Sequence, residues 1–283
     1  MIQKSVTLAG KSTLVWVPND YDPTKAYNCE VMLQGSGEMD TPGTSKLLVN
    51  GLGPVFNNNA TANIQAILIS VEQDEPYEPY FNEPGTYLTA IAAAYKINKF
   101  FLSGLSYGCQ DWLNWFFQPN QDLSMIGGLF MLSPDPTTLP QYGGPAMDYT
   151  LFAKNGIFLY CGVGTADGFI VGCQAMVAGV KAAGGTAYLD TWPGVAHSNP
   201  VWSDFWSLAW VSQAMGVSHY TQEVTWDATV TPVPVPPVQT PANVVLTTAT
   251  PAQLQATTPT VPTLYINPSN KLVTAIWNGS IWQ

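Results

Sequence analysis

Short apolar runs alternate with stretches of helical spacing along most of the chain. Ser5 to Pro18 holds two β-rich runs around Ala9-Gly10-Lys11-Ser12, which predicts a hairpin. Glu30 to Leu33 is a short apolar strand running into Gln34-Gly35-Ser36-Gly37. Ile64 to Val71 is almost continuously apolar, the pattern of a strand covered on both faces. Thr86 to Ile97 has helical spacing, Lys99 to Ser103 reads as a strand, and Tyr107 to Phe117 reads as a helix. Ile126 to Ser133 and Ile157 to Gly162 follow as strands. Val171 to Ala183 is a helix closed by Gly184-Gly185, a helix-stop signal. Ala187 to Trp192 is a strand, and Val201 to Met215 a last helix. Strands and helices in alternation predict an α/β fold with a mostly parallel sheet and helices on both faces.

The pattern breaks after residue 222. Residues 223–262 read as a Thr/Pro-rich linker, with Thr231-Pro232-Val233-Pro234-Val235-Pro236-Pro237 extended and semi-rigid. Residues 263–283 read as a small hairpin module: Thr263 to Ile266, a turn at Asn267-Pro268-Ser269-Asn270, then Leu272 to Trp277. It is too short for a core of its own and is expected to dock or self-associate. Residues 1–222 form the expected α/β domain.

Charge narrows the partners. Only 10% of residues are charged, against a usual share of about 25%, and the net charge is −10. Nine Lys and Arg cannot supply a basic stripe, so neither nucleic acid nor an anionic membrane surface is an expected partner. A neutral substrate suits the chain better. No apolar run is long enough for a spanning helix, and residues 1–7 read as a strand rather than a signal peptide. Cys29, Cys109, Cys161 and Cys173 include no C-x-x-C pair, so no metal site and no cofactor are expected. Three lie in apolar runs as buried thiols, and disulfide pairing stays open.

One segment carries chemistry. Gly104-Leu105-Ser106-Tyr107-Gly108 is a G-x-S-x-G sequence between an apolar strand and a helix, where a nucleophile elbow sits. A serine there needs a base, and the chain has two histidines, His197 and His219. His197 lies in the loop after the last strand, and His219 lies beyond the final helix, where a surface role is expected. An acid must orient the imidazole, in the chain order Ser, Asp/Glu, His. No Glu lies between Ser106 and His197. Asp167, in the Gly-rich loop after Ile157 to Gly162, is the expected acid, and Asp135 is the alternative. Asp190, inside a strand, and Asp111, inside a helix, read as solvated carboxylates. The oxyanion donors are expected from the N–H of Tyr107 and of Ser36, with Gly37 the alternative to Ser36. Tyr77 and Tyr80 lie in the acidic, aromatic loop of residues 72–84 and could shape a substrate pocket together with Gln34, although a solvated acidic loop explains that stretch equally well.

Three segments carry a family resemblance: Leu33-Gln34-Gly35-Ser36-Gly37-Glu38; Leu102-Ser103-Gly104-Leu105-Ser106-Tyr107-Gly108; and Ala182-Ala183-Gly184-Gly185-Thr186-Ala187 running on to Pro193-Gly194-Val195-Ala196-His197. Residues 30–215 resemble the α/β-hydrolase esterases related to polyhydroxybutyrate depolymerase, feruloyl and acetyl xylan esterases, and prolyl-oligopeptidase-like hydrolases. The resemblance implies an α/β-hydrolase fold and a serine carboxylesterase acting on a small ester or an O-acylated glycan. A serine peptidase and a non-catalytic virion or adhesion protein are the rival readings. Gln34 stands where that group has His, Tyr107 and Cys109 depart from its elbow, and Cys161 takes the place of a His in its acid loop. Tyr265-Ile266-Asn267-Pro268-Ser269-Asn270-Lys271-Leu272 and Trp277-Asn278-Gly279-Ser280-Ile281-Trp282 resemble a short module of phage tail and other virion proteins. That implies a virion-associated or extracellular setting, with the tail mediating virion attachment or self-association.

Overall fold

In the computed structural model the apolar runs become one mixed sheet with helices on both faces. Described are residues 1–38, 43–57, 64–73, 83–137, 146–198, 201–204, 245–247, 263–266 and 273–277. The chain divides into two units, residues 1–234 and 235–283.

In the first unit the strands are β1 (Ile2–Leu8), β2 (Lys11–Val17), β3 (Tyr27–Leu33), β4 (Ala66–Val71), β5 (Ile97–Leu105), β6 (Ile126–Leu132), β7 (Phe158–Gly164) and β8 (Thr186–Trp192). Their spatial order is β1-β2-β4-β3-β5-β6-β7-β8. β2 runs antiparallel to β1 and β4, and every pair from β4 to β8 is parallel. The helices are α1 (Leu52–Phe56), α2 (Glu83–Ala94), α3 (Tyr107–Phe117), α4 (Thr150–Asn155), α5 (Ile170–Ala182) and α6 (Val201–Asp204).

The continuous apolar runs are explained by two cores, one on each face. Leu129 and Met131 of β6 point into the core under α2, α3 and α5, while Phe130 and Leu132 point into the core under α1. β7 divides in the same way, with Leu159, Cys161 and Val163 on one side and Phe158 and Tyr160 on the other. A strand buried on both faces has no polar alternation to show. All four cysteines are buried free thiols.

Several expected boundaries shift. The helix read over Thr86 to Ile97 is α2, and Ile97 belongs instead to β5, paired with Tyr27. The last helix is described only over Val201–Asp204, and the rest of Val201 to Met215 lies outside the described residues. α1 and α4 were not expected, being too short for a helical period to repeat. No helix among the described residues is long and apolar enough to cross a membrane.

In the second unit β9 (Val245–Thr247) pairs in parallel with β10 (Thr263–Ile266), which pairs antiparallel with β11 (Val273–Trp277). The expected hairpin therefore has a third strand, drawn from the stretch read as linker. The turn between β10 and β11 lies outside the described residues.

The chain leaves β3 for β4 on one side and returns to β5 on the other. The ends of β3 and β5 thus lie at a topological switch point, where ligands bind in open α/β sheets. Lower in β3, Glu30 is fully buried, and neither carboxyl oxygen has a hydrogen-bond partner among the described residues. The neighbouring Ser103 hydroxyl sits beside it but is directed at the Val31 carbonyl, at 3.4 Å. Burial raises the Glu30 carboxyl from 4.5 to about 8, a rise that Ser103 only partly offsets.

The folded state therefore holds a proton on Glu30 that the unfolded chain releases near its ordinary value. Its contribution to stability is full below about 4.5 and is lost as pH rises to about 8. The slope is at most about 1.4 kcal/mol per pH unit. Glu30→Gln should flatten the decline of stability between pH 5 and pH 8 in urea denaturation. Equal slopes in wild type and variant would refute the assignment.

Candidate active site

The β5–α3 junction is shaped by its backbone. Ser106 has φ 52° and ψ −112°, a conformation that costs a non-glycine residue about 1–3 kcal/mol. Its N–H donates to the Leu132 carbonyl at 2.8 Å, which fixes the turn to β6. The flanking glycines are required by space. A Cβ on Gly104 would lie 2.5 Å from the Cys109 nitrogen, and one on Gly108 would lie 2.4 Å from the Leu33 carbonyl oxygen. The first turn of α3 therefore rests directly on the chain leaving β3. Tyr107 lies in that turn, at the positive end of the helix.

Ser106 Oγ lies 2.8 Å from His197 Nε2, and His197 Nδ1 lies 2.9 Å from Asp167 Oδ2. Asp167 is 3% exposed, and its Oδ1 accepts the Phe169 N–H at 3.0 Å. Burial pushes the Asp167 carboxyl up, but the His197 and Phe169 hydrogen bonds outweigh it, helped by the nearby Ser133 hydroxyl. The net effect holds Asp167 below the usual carboxylate range. Asp135, the alternative acid, spends Oδ1 on the N–H and hydroxyl of Thr137. The geometry thus brings Asp167, and not Asp135, to the imidazole.

Two loops are tied together to make this contact. Ala166 N–H donates to the Val195 carbonyl at 2.9 Å, and Gly194 N–H donates to Thr165 Oγ1 at 2.8 Å. A Cβ on Gly164 would lie 2.1 Å from the Val195 carbonyl oxygen, so only glycine permits the approach. The imidazole also meets Phe169 and Trp202 edge to face, at centroid distances of 4.9 and 5.3 Å. Sequence reading gave no sign of either ring.

Gly35, Ser36, Gly37 and Glu38 form a turn in which Glu38 N–H donates to the Gly35 carbonyl at 3.1 Å. Ser36 and Gly37 are exposed at its tip. Gln34, expected to contact substrate, is 1% exposed, and its Nε2 donates to Ser70 Oγ at 2.8 Å. Its side chain is held by β4 behind the turn. Asp111 and Asp190 are likewise buried rather than solvated, and Asp111 accepts a 2.5 Å hydrogen bond from Gln73 Nε2. Tyr77, Tyr80 and His219 lie outside the described residues. No cluster of His, Cys, Asp or Glu among the described residues could hold a metal ion.

No protein-family model and no curated protein sequence matches the chain. Solved structures do match its fold. Thermogutta terrifontis esterase 2 phosphorylated by paraoxon is 13% identical with a TM-score of 0.50, over 69% of this chain and 84% of that one. An esterase/lipase from an uncultured bacterium is 17% identical with a TM-score of 0.49, over 69% of this chain and 75% of that one. The chain has the α/β-hydrolase fold. Within this fold the strained serine follows β5, Asp167 follows β7 and His197 follows β8, so three separate strand ends meet at one point.

The contact between α3 and the turn after β3 makes a direct prediction. Gly108→Ala should lower stability by about 1–3 kcal/mol, because its Cβ would meet backbone that cannot swing aside. Gly37→Ala, whose Cβ would meet nothing within 4 Å among the described residues, should leave stability near wild type. Thermal denaturation of both variants checks this, and equal Tm values would show that the two segments are not locked.

Proposed function

We propose that this protein is a serine carboxylesterase in which Ser106, His197 and Asp167 form the catalytic triad. The observation that carries the reading is the unbroken line of contacts from Ser106 Oγ through the imidazole to a buried, ionised Asp167.

His197 Nε2 takes the Ser106 proton as Oγ attacks the ester carbonyl. The charge formed on the imidazole faces Asp167, which stabilises it and holds the ring in the tautomer with Nδ1–H. The oxyanion is met by the N–H groups of Tyr107 and Ser36, or of Gly37 in place of Ser36. His197 then gives its proton to the departing alkoxide, leaving an acyl group on Ser106. Water, deprotonated by the same nitrogen, releases the acid and restores the serine.

A short acyl or acetyl ester on a polysaccharide is the substrate class we favour. The sequence resemblance supports it, as do Phe169 and Trp202, whose rings border the imidazole that protonates the alcohol. Sugar C–H faces and aryl alcohols both pack against such rings. The likeness of residues 265–282 to virion tail modules agrees with a cell-surface glycan as target and gives the second unit a role in attachment.

Hydrolysis of p-nitrophenyl acetate tests the proposal. Ser106→Ala should lower kcat by roughly 10⁴-fold or more, and a fluorophosphonate should label Ser106 in wild type. A folded wild type with neither turnover nor label would favour a binding protein on a hydrolase scaffold. Asp167→Asn should lower kcat by roughly 10³–10⁴-fold, whereas Asp135→Asn should stay within a fewfold of wild type. The opposite ranking would move the acid to the end of β6.

A further inference from the structure

We propose that Gln34 and Ser70 are positioning residues for the oxyanion turn, their buried hydrogen bond fixing the backbone of Gly35 to Gly37 relative to Ser106. This rests on the esterase reading above.

The main-chain ladder of β3 ends at Leu33, which is paired with Val71 on one side and Gly104 on the other. Beyond it the chain leaves the sheet, and the next tie is made by a side chain. Gln34 Nε2 reaches Ser70 Oγ at 2.8 Å, and the two residues are 1% and 0% exposed. The other side of Gln34 is pressed by α3, since a Cβ on Gly108 would lie 2.6 Å from the Gln34 carbonyl oxygen. Gln34 is thus gripped by β4 through its side chain and by the helix that follows the nucleophile through its main chain. Gly35 comes next and packs over the Leu105 carbonyl, the residue before Ser106. A small rotation at Gln34 would therefore carry the Ser36 and Gly37 N–H groups away from the ester oxygen.

The arrangement is costly to the fold, which argues that it serves the site. Gln34 Oε1 is buried without a hydrogen-bond partner among the described residues, a loss that a leucine of similar size would avoid. Ser70 is the one polar residue of β4 and faces the α1-side core. An amide does not titrate, so the anchor is unchanged across the pH range in which the chain is folded.

The test uses the full chain with Gln34→Leu, Ser70→Ala and the double variant. Steady-state kinetics with p-nitrophenyl acetate are read beside the inhibition constant of a trifluoromethyl ketone, which adds to the serine and presents an oxyanion to the same donors. Each single variant should lower kcat by roughly 10–100-fold with KM within about twofold, and should weaken the ketone in parallel. The double variant should fall no further than the weaker single, because both break one contact. Unchanged kcat, a loss confined to KM, or losses that multiply would each overturn the proposal. Should Gln34→Leu fail to fold, Ser70→Ala decides by the same kcat and ketone criteria. A wild type that neither turns over ester nor binds the ketone would overturn the esterase reading and this proposal together. An active wild type with indifferent variants overturns only the positioning role.

Discussion

The arrangement at the top of the sheet depends on how closely the first turn of α3 lies against the chain leaving β3. A hydrogen at Gly108, and nothing larger, separates the two. That proximity places the turn of residues 35–38 beside the positive end of the helix that begins next to Ser106. It also forces the strain at Ser106, because a strand cannot enter a helix pressed so tightly to its neighbour through an ordinary turn. The strain is offset elsewhere: by the Ser106–Leu132 hydrogen bond, by the Trp112 indole donating to the Ser103 carbonyl at 2.8 Å, and by the α3 side chains buried against the sheet.

The other half of the site is built by a different means. Asp167 and His197 stand on loops, where mobility would spoil their contact, yet these loops are tied to one another. The backbone bonds between residues 164–166 and 192–195 continue the β7–β8 ladder past its end, and Gly164 lets the two chains nearly touch. The imidazole thus inherits its position from the sheet. Two aromatic edges and one carboxylate leave it few orientations.

How much of this was legible depends on the range over which each residue acts. Ser106 was legible because its requirements are local: strand before, helix after, glycine on both sides. His197 was anticipated from the loop after the last strand and Asp167 from the Gly-rich loop after β7, with Asp135 left open beside it until the contacts brought Asp167 to the imidazole. The layout of the sheet followed from apolar runs too continuous for a one-sided sheet. The Gln34–Ser70 contact was not legible, because it joins positions 36 residues apart and Ser70 looks like an interruption in an apolar strand. For the same reason Gln34 was expected to face substrate: the motif tells where the residue lies along the chain, not which way its side chain turns. Asp111 and Asp190 were misread because a carboxylate in a helix or strand is usually solvated; both are buried, and Asp111 is paired with Gln73, 38 residues away.

Glu30 and Gln34 lie four residues apart on the same side of β3 and its extension, and both leave a buried oxygen without a hydrogen-bond partner among the described residues. They differ in what that oxygen can do. Glu30 can take up a proton and so avoid burying a charge, which moves its cost into the pH dependence of stability. Gln34 has no such outlet, and its cost is constant. A costly group at the C-terminal end of the strand, held by one directed hydrogen bond and touching the helix that begins next to Ser106, is better explained by what it orients than by what it stabilises.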